Sequence, residues 1–343
     1  DYNDDDNDPS PGDAEDRHGT SVAGVALAAG NEIGGIGVAP DAGLVPLRLI
    51  AGPYQYGEEA EALSYQRQQV DIYNNSWGPS DDFGVMYDDA SQAFKDALHD
   101  NVREGRNGLG NIYVWAAGNG GLNGDNSNFD GYNASPFTIS VGAVAHDDIR
   151  TSYSEKGANL LVVAPSGGRG GGIVTADNTG SSGYTATDMY DNFGGTSAAA
   201  PIVAGVAALL LEARPDLHWR DVQAILALSA APVDFSTEKW SRNAARHWYS
   251  HDYGFGRVDA SAALKLAEGW RSLGPMLETS ASNTTSGTLA PNIALSRSVS
   301  VFQNFAVQHV MVTVEANHQD WGDLRIVIES PSGTRSVLSE SHT

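Results

Sequence analysis

The chain has 343 residues, 41% of them hydrophobic, enough for two domains and at least one sizeable core. Its 43 acidic residues outnumber 20 basic ones; the net charge of -23 argues against nucleic acid and anionic membrane as partners and favours metal ions or basic peptides. There is no cysteine, which excludes disulfides and thiol catalysis, and no apolar run reaches the roughly 20 residues that span a bilayer.

The first residues, Asp1-Tyr2-Asn3-Asp4-Asp5-Asp6-Asn7-Asp8-Pro9, set carboxylates at close spacing. Alternating Asp in a turn directs several oxygens inward, as hard Ca²⁺ requires; the plainer reading is a solvated acidic loop. Residues 17–29 read as a helix of tiny side chains that carries His18 at its start. The Gly-rich turn 30–40 that follows can aim carbonyls and the Asn31 side chain at one point, an oxygen cage for Ca²⁺. Residues 45–49 read as a buried strand, 58–69 as an acidic helix and 70–73 as a short strand. A helix over about 88–104 precedes a strand over 111–116, which ends in Ala117-Gly118-Asn119-Gly120-Gly121. Residues 138–144 form a further strand. Alternating strand and helix predicts a parallel α/β sheet with the site beyond the strand C-termini.

Phe193-Gly194-Gly195-Thr196-Ser197-Ala198-Ala199-Ala200-Pro201 then precedes the apolar run 202–211. Glycines 194 and 195 allow a sharp turn, and Pro201 is expected in the first turn of a helix, where its missing N–H is not needed. Ser197 would sit at a helix mouth, where backbone amides favour a developing anion; alone, it reads more readily as an N-cap. Residues 219–230 are helical, and a last helix ends near Trp270. From there the texture changes: 280–287 is a Ser/Thr/Asn linker, and 299–315 and 324–329 alternate with period two, the start of an antiparallel β domain.

Three polar groups suggest one chemistry. Ser197 needs a base, and His18 is the candidate. The Asn119 side chain and the Ser197 N–H can serve a tetrahedral oxyanion, each contributing about 3–4 kcal/mol in the transition state. An Asp should orient His18. The segments His18-Gly19-Thr20-Ser21-Val22-Ala23-Gly24, Ala117-Gly118-Asn119 and Gly195 to Pro201 resemble the subtilisin-like serine proteases. The closer resemblance is to their kexin/furin branch, the proprotein convertases, in a bacterial-type, cysteine-free form. It is carried by Asp71-Ile72-Tyr73-Asn74-Asn75-Ser76-Trp77-Gly78-Pro79-Ser80-Asp81-Asp82, by Asp130-Gly131-Tyr132 and by Ser250-His251-Asp252-Tyr253-Gly254-Phe255-Gly256. Gly322-Asp323-Leu324-Arg325-Ile326 and Ser330-Pro331-Ser332-Gly333-Thr334 resemble that branch's P domain.

The resemblance implies a three-layer α/β domain with a mostly parallel sheet over 1–272, then a partial all-β jelly-roll P domain over 273–343. It makes His18 the general base, Ser197 the nucleophile and Asn119 the oxyanion donor. Asp130 falls at the floor of the S1 pocket and Asp81 near its entrance, with Trp77 in the groove. Glu15 matches an S2 acid, with Asp16 one place off; Asp88 and either Glu59 or Glu61, with Tyr132 nearby, fall at S4. For calcium, the carbonyls of Ala29, Ile33 and Gly35 with the Asn31 side chain match one site, and Asp1, Asp6 and Asp8 a second. Asp81 and Asp125 match two ligands of a third, near S1. Where the family has another acid, this chain reads Gly168-Arg169-Gly170-Gly171, and Arg169 is expected to pair with Asp81 or Asp125 instead. The family's catalytic Asp has no counterpart in the 17 residues before His18, so these 343 residues alone are expected to be inactive or poorly folded. The implied function is that of a secreted, periplasmic or cell-surface calcium-dependent serine endopeptidase with its own propeptide. It would cut after paired basic residues through an acyl-enzyme. A broad-specificity subtilisin-type protease and an inactive calcium-stabilised binding module are the alternatives.

Overall fold

The elements follow in chain order as α1 (His18–Leu27), α2 (Glu58–Ser64), β1 (Ile72–Asn75), α3 (Gln92–Gly108), β2 (Ile112–Ala116), β3 (Thr138–Val144) and β4 (Leu160–Pro165). After these come β5 (Ile173–Ala176), β6 (Met189–Phe193), α4 (Thr196–Ala213), α5 (Trp219–Ser229), β7 (Ser241–Arg242), β8 (Trp248–Tyr249), α6 (Ala260–Glu268), β9 (Ile326–Glu329) and β10 (Arg335–Ser339). The computed structural model describes all residues except 14–15, 32, 53–54, 56, 82–83, 85–89, 237–238, 305 and 343.

Strands β1 to β4 form one parallel sheet in that order. β2 and β3 are buried along their whole length, which explains why they read as unbroken apolar runs rather than alternating ones. Helix α4 packs on the sheet and on α1, burying Ala199, Ala200, Val203, Ala207 and Leu210; α3 adds Phe94, Leu98 and Val102 to the same core. Each large apolar side chain buried this way contributes about 1.5–3 kcal/mol. By length and composition α4 is apolar enough to cross a membrane, but it is the central core helix. The small residues of α1 serve close approach: a Cβ on Gly24 would lie 2.4 Å from Thr175 Oγ1 on β5. On α4, a Cβ at Gly205 would meet Val38 at 2.5 Å. These contacts seat His18, at the head of α1, over the sheet end that carries α4.

Several expectations shift. Residues 45–49 are not a strand: no ladder pairs them among the described residues, and Val45 is exposed although Leu49 is buried. The acidic helix stops at Ser64, six residues beyond its start at Glu58, and the next strand begins at Ile72. α3 starts at Gln92 because Ser91 caps it, its hydroxyl accepting from the Phe94 N–H at 3.1 Å. Ser197 is not an N-cap; that place belongs to Gly195, whose φ of +75° suits glycine. Since α4 begins at Thr196, Pro201 lies in its sixth position and not in its first turn. The carbonyl its missing N–H leaves unpaired is that of Ser197, and the Ser76 hydroxyl donates to it at 3.0 Å.

Beyond α6 the chain runs extended and exposed. The strand expected over 299–315 is absent, because a period-two stretch becomes a strand only against a partner and none pairs with it among the described residues. β9 and β10 do pair, antiparallel, around a turn in which the Gly333 N–H donates to Ser330 O at 2.9 Å. This hairpin region packs on the loop after β2: Trp321 meets Phe129 edge-on at 5.5 Å, and Asn128 Nδ2 donates to Leu338 O at 3.1 Å.

Candidate active site

Past the C-terminal ends of β1 and β2 lies a cavity of about 1690 Å³ lined by His18, Asn119 and Ser197 together with Asp81, Asp125, Asp130 and Glu155. The three groups expected to share one chemistry thus line one cavity, although nearly 180 positions separate the first from the last.

Asn119 stands in the turn after β2, and its orientation is set by hydrogen bonds. Its Oδ1 accepts from the Thr196 N–H at 2.8 Å and the Thr196 hydroxyl at 3.1 Å. A backbone N–H can only donate, so the amide oxygen is pinned to the start of α4 and Nδ2 is left as an open donor. The Ser197 N–H, at the second position of α4, also has no acceptor among the described residues. Both donors therefore belong to residues held at the start of α4, the positive end of a helix. The Ser197 hydroxyl itself donates to Ser76 O at 3.3 Å. His18 packs edge-on against Phe193 at 5.5 Å, and burial holds its imidazole below the usual histidine range, so it is neutral at pH 7 and able to accept a proton. No described carboxylate accepts from it.

The acids expected to bind substrate divide into distinct groups. Asp130 is steered by the Tyr132 N–H at 2.7 Å and by the Asn133 side chain. Gly78 faces it: a Cβ there would lie 3.5 Å from Asp130 Oδ2, so glycine keeps the approach open. Trp77 packs on Trp115 at 4.8 Å and Tyr132 at 5.2 Å, forming an aromatic wall. Glu59 is buried and accepts from the Tyr132 hydroxyl at 2.7 Å, while Glu61 on the same helix is exposed. Asp81 accepts from the Asn119 N–H at 2.6 Å. Asp16 is paired with Arg48. Glu15 and Asp88 lie outside the described residues.

Glu155, which the sequence reading did not single out, is the most perturbed acid in the cavity. Burial first, then the neighbouring Asp125, push its carboxyl up to about 9; Asp81 and Asp130 add to this, and the Gly120 N–H, donating at 3.0 Å, opposes it. It is therefore a protonated acid at pH 7 beside three other carboxylates. A Cβ on Gly118 would fall 2.1 Å from its Oε1, so that glycine makes room for it. The acid that stands nearest Asp125 in the cavity is therefore Glu155, and 168–171 supplies none. Arg169 is exposed in a turn where its carbonyl meets His146, and it forms no ion pair with Asp81 or Asp125. Nothing in the local pattern of Tyr153-Ser154-Glu155 marks this residue; only its burial beside Asp125 does.

The other calcium expectations meet a mixed outcome. Asp1 accepts from the Asn3 N–H at 2.8 Å and pairs with Arg48 at 3.1 Å, whereas Asp6 and Asp8 accept from the N–H groups two residues on. These bonds shape local turns and one ion pair. In the 30–40 turn Asn31 Oδ1 accepts from the Ile33 N–H at 3.1 Å, and Ala29 is exposed while Gly35 is half-buried. Among the described residues no three acidic or histidine side chains stand grouped at metal-holding distances.

A parallel α/β sheet, a serine at a helix head and an anchored amide donor are what a subtilisin-type protease domain requires. The family model described as the Subtilase family matches residues 1–256, and the Proprotein convertase P-domain model matches 307–343; the chain belongs to the subtilase family. It is 40% identical over 354 residues to the "Dibasic-processing endoprotease" of Schizosaccharomyces pombe, covering 99% of this chain and 49% of that protein. It is 39% identical to "Kexin" of Saccharomyces cerevisiae, covering 98% and 42%. Among solved structures it is similar to the serine protease of Aeromonas sobria, with a TM-score of 0.84 and 28% identity over 97% of this chain and 68% of that one. The chain spans about half the length of the curated relatives it matches.

Proposed function

We propose that the protein is a calcium-dependent serine endopeptidase that cuts after basic, and in particular paired basic, residues. The observation that carries the reading is the Thr196–Asn119 bond, which commits the amide oxygen and leaves Nδ2 and the Ser197 N–H as paired donors beside Asp130. In this reading the Ser197 hydroxyl turns from Ser76 O, gives its proton to neutral His18 and attacks the scissile carbonyl. The oxyanion forms between Asn119 Nδ2 and the Ser197 N–H. His18 then protonates the departing amine, leaving an acyl-enzyme for water to hydrolyse. The triad also requires a carboxylate on His18 Nδ1; without one, the 343 residues are expected to react slowly.

Specificity follows from charge. Asp130, Asp81 and Asp125 line the cavity, and its basic residues Arg48 and Arg106 are already ion-paired. An arginine or lysine side chain passing Gly78 would meet Asp130, a charge-assisted contact giving about ten- to hundred-fold preference. Glu59, Glu61, Glu15 and Asp88 remain candidates for the more distant subsites. The printed name of the Schizosaccharomyces pombe relative supports the dibasic preference. Asp130→Asn is accordingly expected to lower kcat/KM on an Arg-Arg peptide by ten- to hundred-fold while sparing a Phe peptide. Equal wild-type turnover of Arg-Arg, Lys-Arg and Phe peptides would favour broad specificity instead.

Calcium in this reading neutralises carboxylates and takes no part in bond breaking. Asp81, Asp125 and Glu155 would hold it near S1; the Asp1, Asp6, Asp8 loop and the turn of Ala29, Asn31, Ile33 and Gly35 are the other proposed sites. Glu155 gives the test. Its pKa is raised from 4.5 to about 9 on folding, so without a cation stability falls as pH climbs through that window, because the unfolded chain ionises first. A bound cation holds the carboxylate and removes this penalty. Calcium is expected to raise the melting temperature more at pH 8 than at pH 6 and to release about one proton on binding. Glu155→Gln should abolish both pH-linked effects. An identical calcium shift at both pH values would count against the site.

The domain boundary at 272/273, a propeptide and a secreted, periplasmic or surface location belong to the same reading. A bacterial-type form belongs to the same reading and rests on the lack of cysteine, whereas the curated relatives named above are eukaryotic.

A further inference from the structure

We propose that Ser76 is a positioning residue for the nucleophile, supplying the hydrogen bond that Pro201 withholds and letting the Ser197 hydroxyl turn without its backbone moving. The proposal rests on the reading of Ser197 as nucleophile. In a helix the carbonyl of residue i bonds to the N–H of residue i+4, and for Ser197 that residue is Pro201, which has no N–H. A carbonyl left unpaired here would let the first turn of α4 shift, and with it both the nucleophile and the adjoining N–H donor. The Ser76 hydroxyl fills the vacancy at 3.0 Å. It accepts in turn from Asn74 Nδ2 at 3.0 Å, so its single hydrogen is committed to Ser197 O.

A second bond runs the other way, from the Ser197 hydroxyl to Ser76 O, at the longer distance of 3.3 Å. The two bonds are unequal in role. The long one must break when Ser197 gives its proton to His18; the shorter one does not involve the reacting oxygen and persists. The turn therefore stays pinned to the end of β1 through Asn74 and Ser76 while only the side chain rotates. Ser76 also directly precedes Trp77 and Gly78, which flank the way to Asp130. The same clasp thus ties the segment expected to receive the substrate to the residue expected to attack it.

The test exploits proline chemistry. Fluorophosphonate labelling of Ser197, peptide kcat and KM, and melting temperature are measured on the full chain for wild type, Ser76→Ala, Pro201→Ala and the double variant. Ser76→Ala is expected to slow labelling and lower kcat about tenfold with KM within about twofold, and without moving the acid limb of the pH profile. Pro201→Ala restores an N–H opposite Ser197 O, so adding it should recover labelling to within about threefold of wild type. Its stabilising effect should be larger in the Ser76→Ala background than in the wild type, a coupling that a general gain in helix propensity does not produce. Labelling of Ser76→Ala at the wild-type rate, or a double variant no faster than Ser76→Ala, overturns the proposal. If Ser76→Ala does not fold, the double variant is expected to fold, and its failure to do so also overturns the proposal. A wild type that never labels even on a longer chain carrying the triad carboxylate sinks the nucleophile reading instead, and the melting-temperature coupling then decides the clasp by itself.

Discussion

Ser197→Ala is expected to eliminate fluorophosphonate labelling and, in protein that also carries the triad carboxylate, to lower kcat on a dibasic peptide by at least about three orders of magnitude with KM little changed. The substitution removes the attacking oxygen and one 3.3 Å bond to Ser76 O, while the Ser76 bond to the Ser197 carbonyl, the Asn119 bond to Thr196 and the cavity wall all remain. Substrate should therefore still bind. The wild-type pH profile gives a second readout. Only neutral His18 can accept the proton, and burial lowers its pKa, so activity should be full above about 6.5 and fall only as pH drops through the depressed value. Peptide cleavage by Ser197→Ala at the wild-type rate would end the mechanism.

Asn119→Ala is expected to lower kcat by about 10²–10³-fold, the effect of removing one oxyanion donor, again with little change in KM. That variant also takes the acceptor from the Thr196 N–H, so part of any loss could come from a displaced helix start. Asn119→Asp separates the two effects. It keeps an acceptor for Thr196 but replaces the donor with an oxygen, so its kcat should fall at least as far while its melting temperature stays nearer the wild type. A loss of under threefold in either variant would remove Asn119 from the oxyanion site. Single-turnover acylation rates are the measurement, since they exclude product release.

The members of the candidate site were legible in the sequence because each sits in a segment with strong local requirements. Asn119 needs the glycines around it for a tight turn after β2, and Ser197 needs Gly195 at a positive φ to start α4. β3 was readable for a similar reason, as a continuous apolar run bounded by turn residues that stays buried throughout. Residues 45–49 have the same texture and are not a strand, since strand formation depends on a neighbouring backbone that composition does not describe. The exposed stretch 299–315 repeats that lesson with a period-two pattern.

The sequence by itself singled out His18, Asn119 and Ser197 as one candidate group, showed the acid excess that favours a cationic substrate or ion, and indicated the parallel α/β class. Those properties follow from residue type, short-range spacing and net charge. Only the tertiary structure decided which acids act together. It buried Glu155 against Asp125 and thereby raised its pKa to about 9, left Arg169 exposed, gave Glu59 rather than Glu61 to Tyr132, and turned Asp1 towards Arg48. It also showed Pro201 inside α4, where the hydrogen bond lost to the Ser197 carbonyl is made good by Ser76, 121 positions before Ser197. The physical reason is common to all of these. A carboxylate or carbonyl takes its properties from the dielectric and partners around it, and here those partners come from parts of the chain distant in sequence.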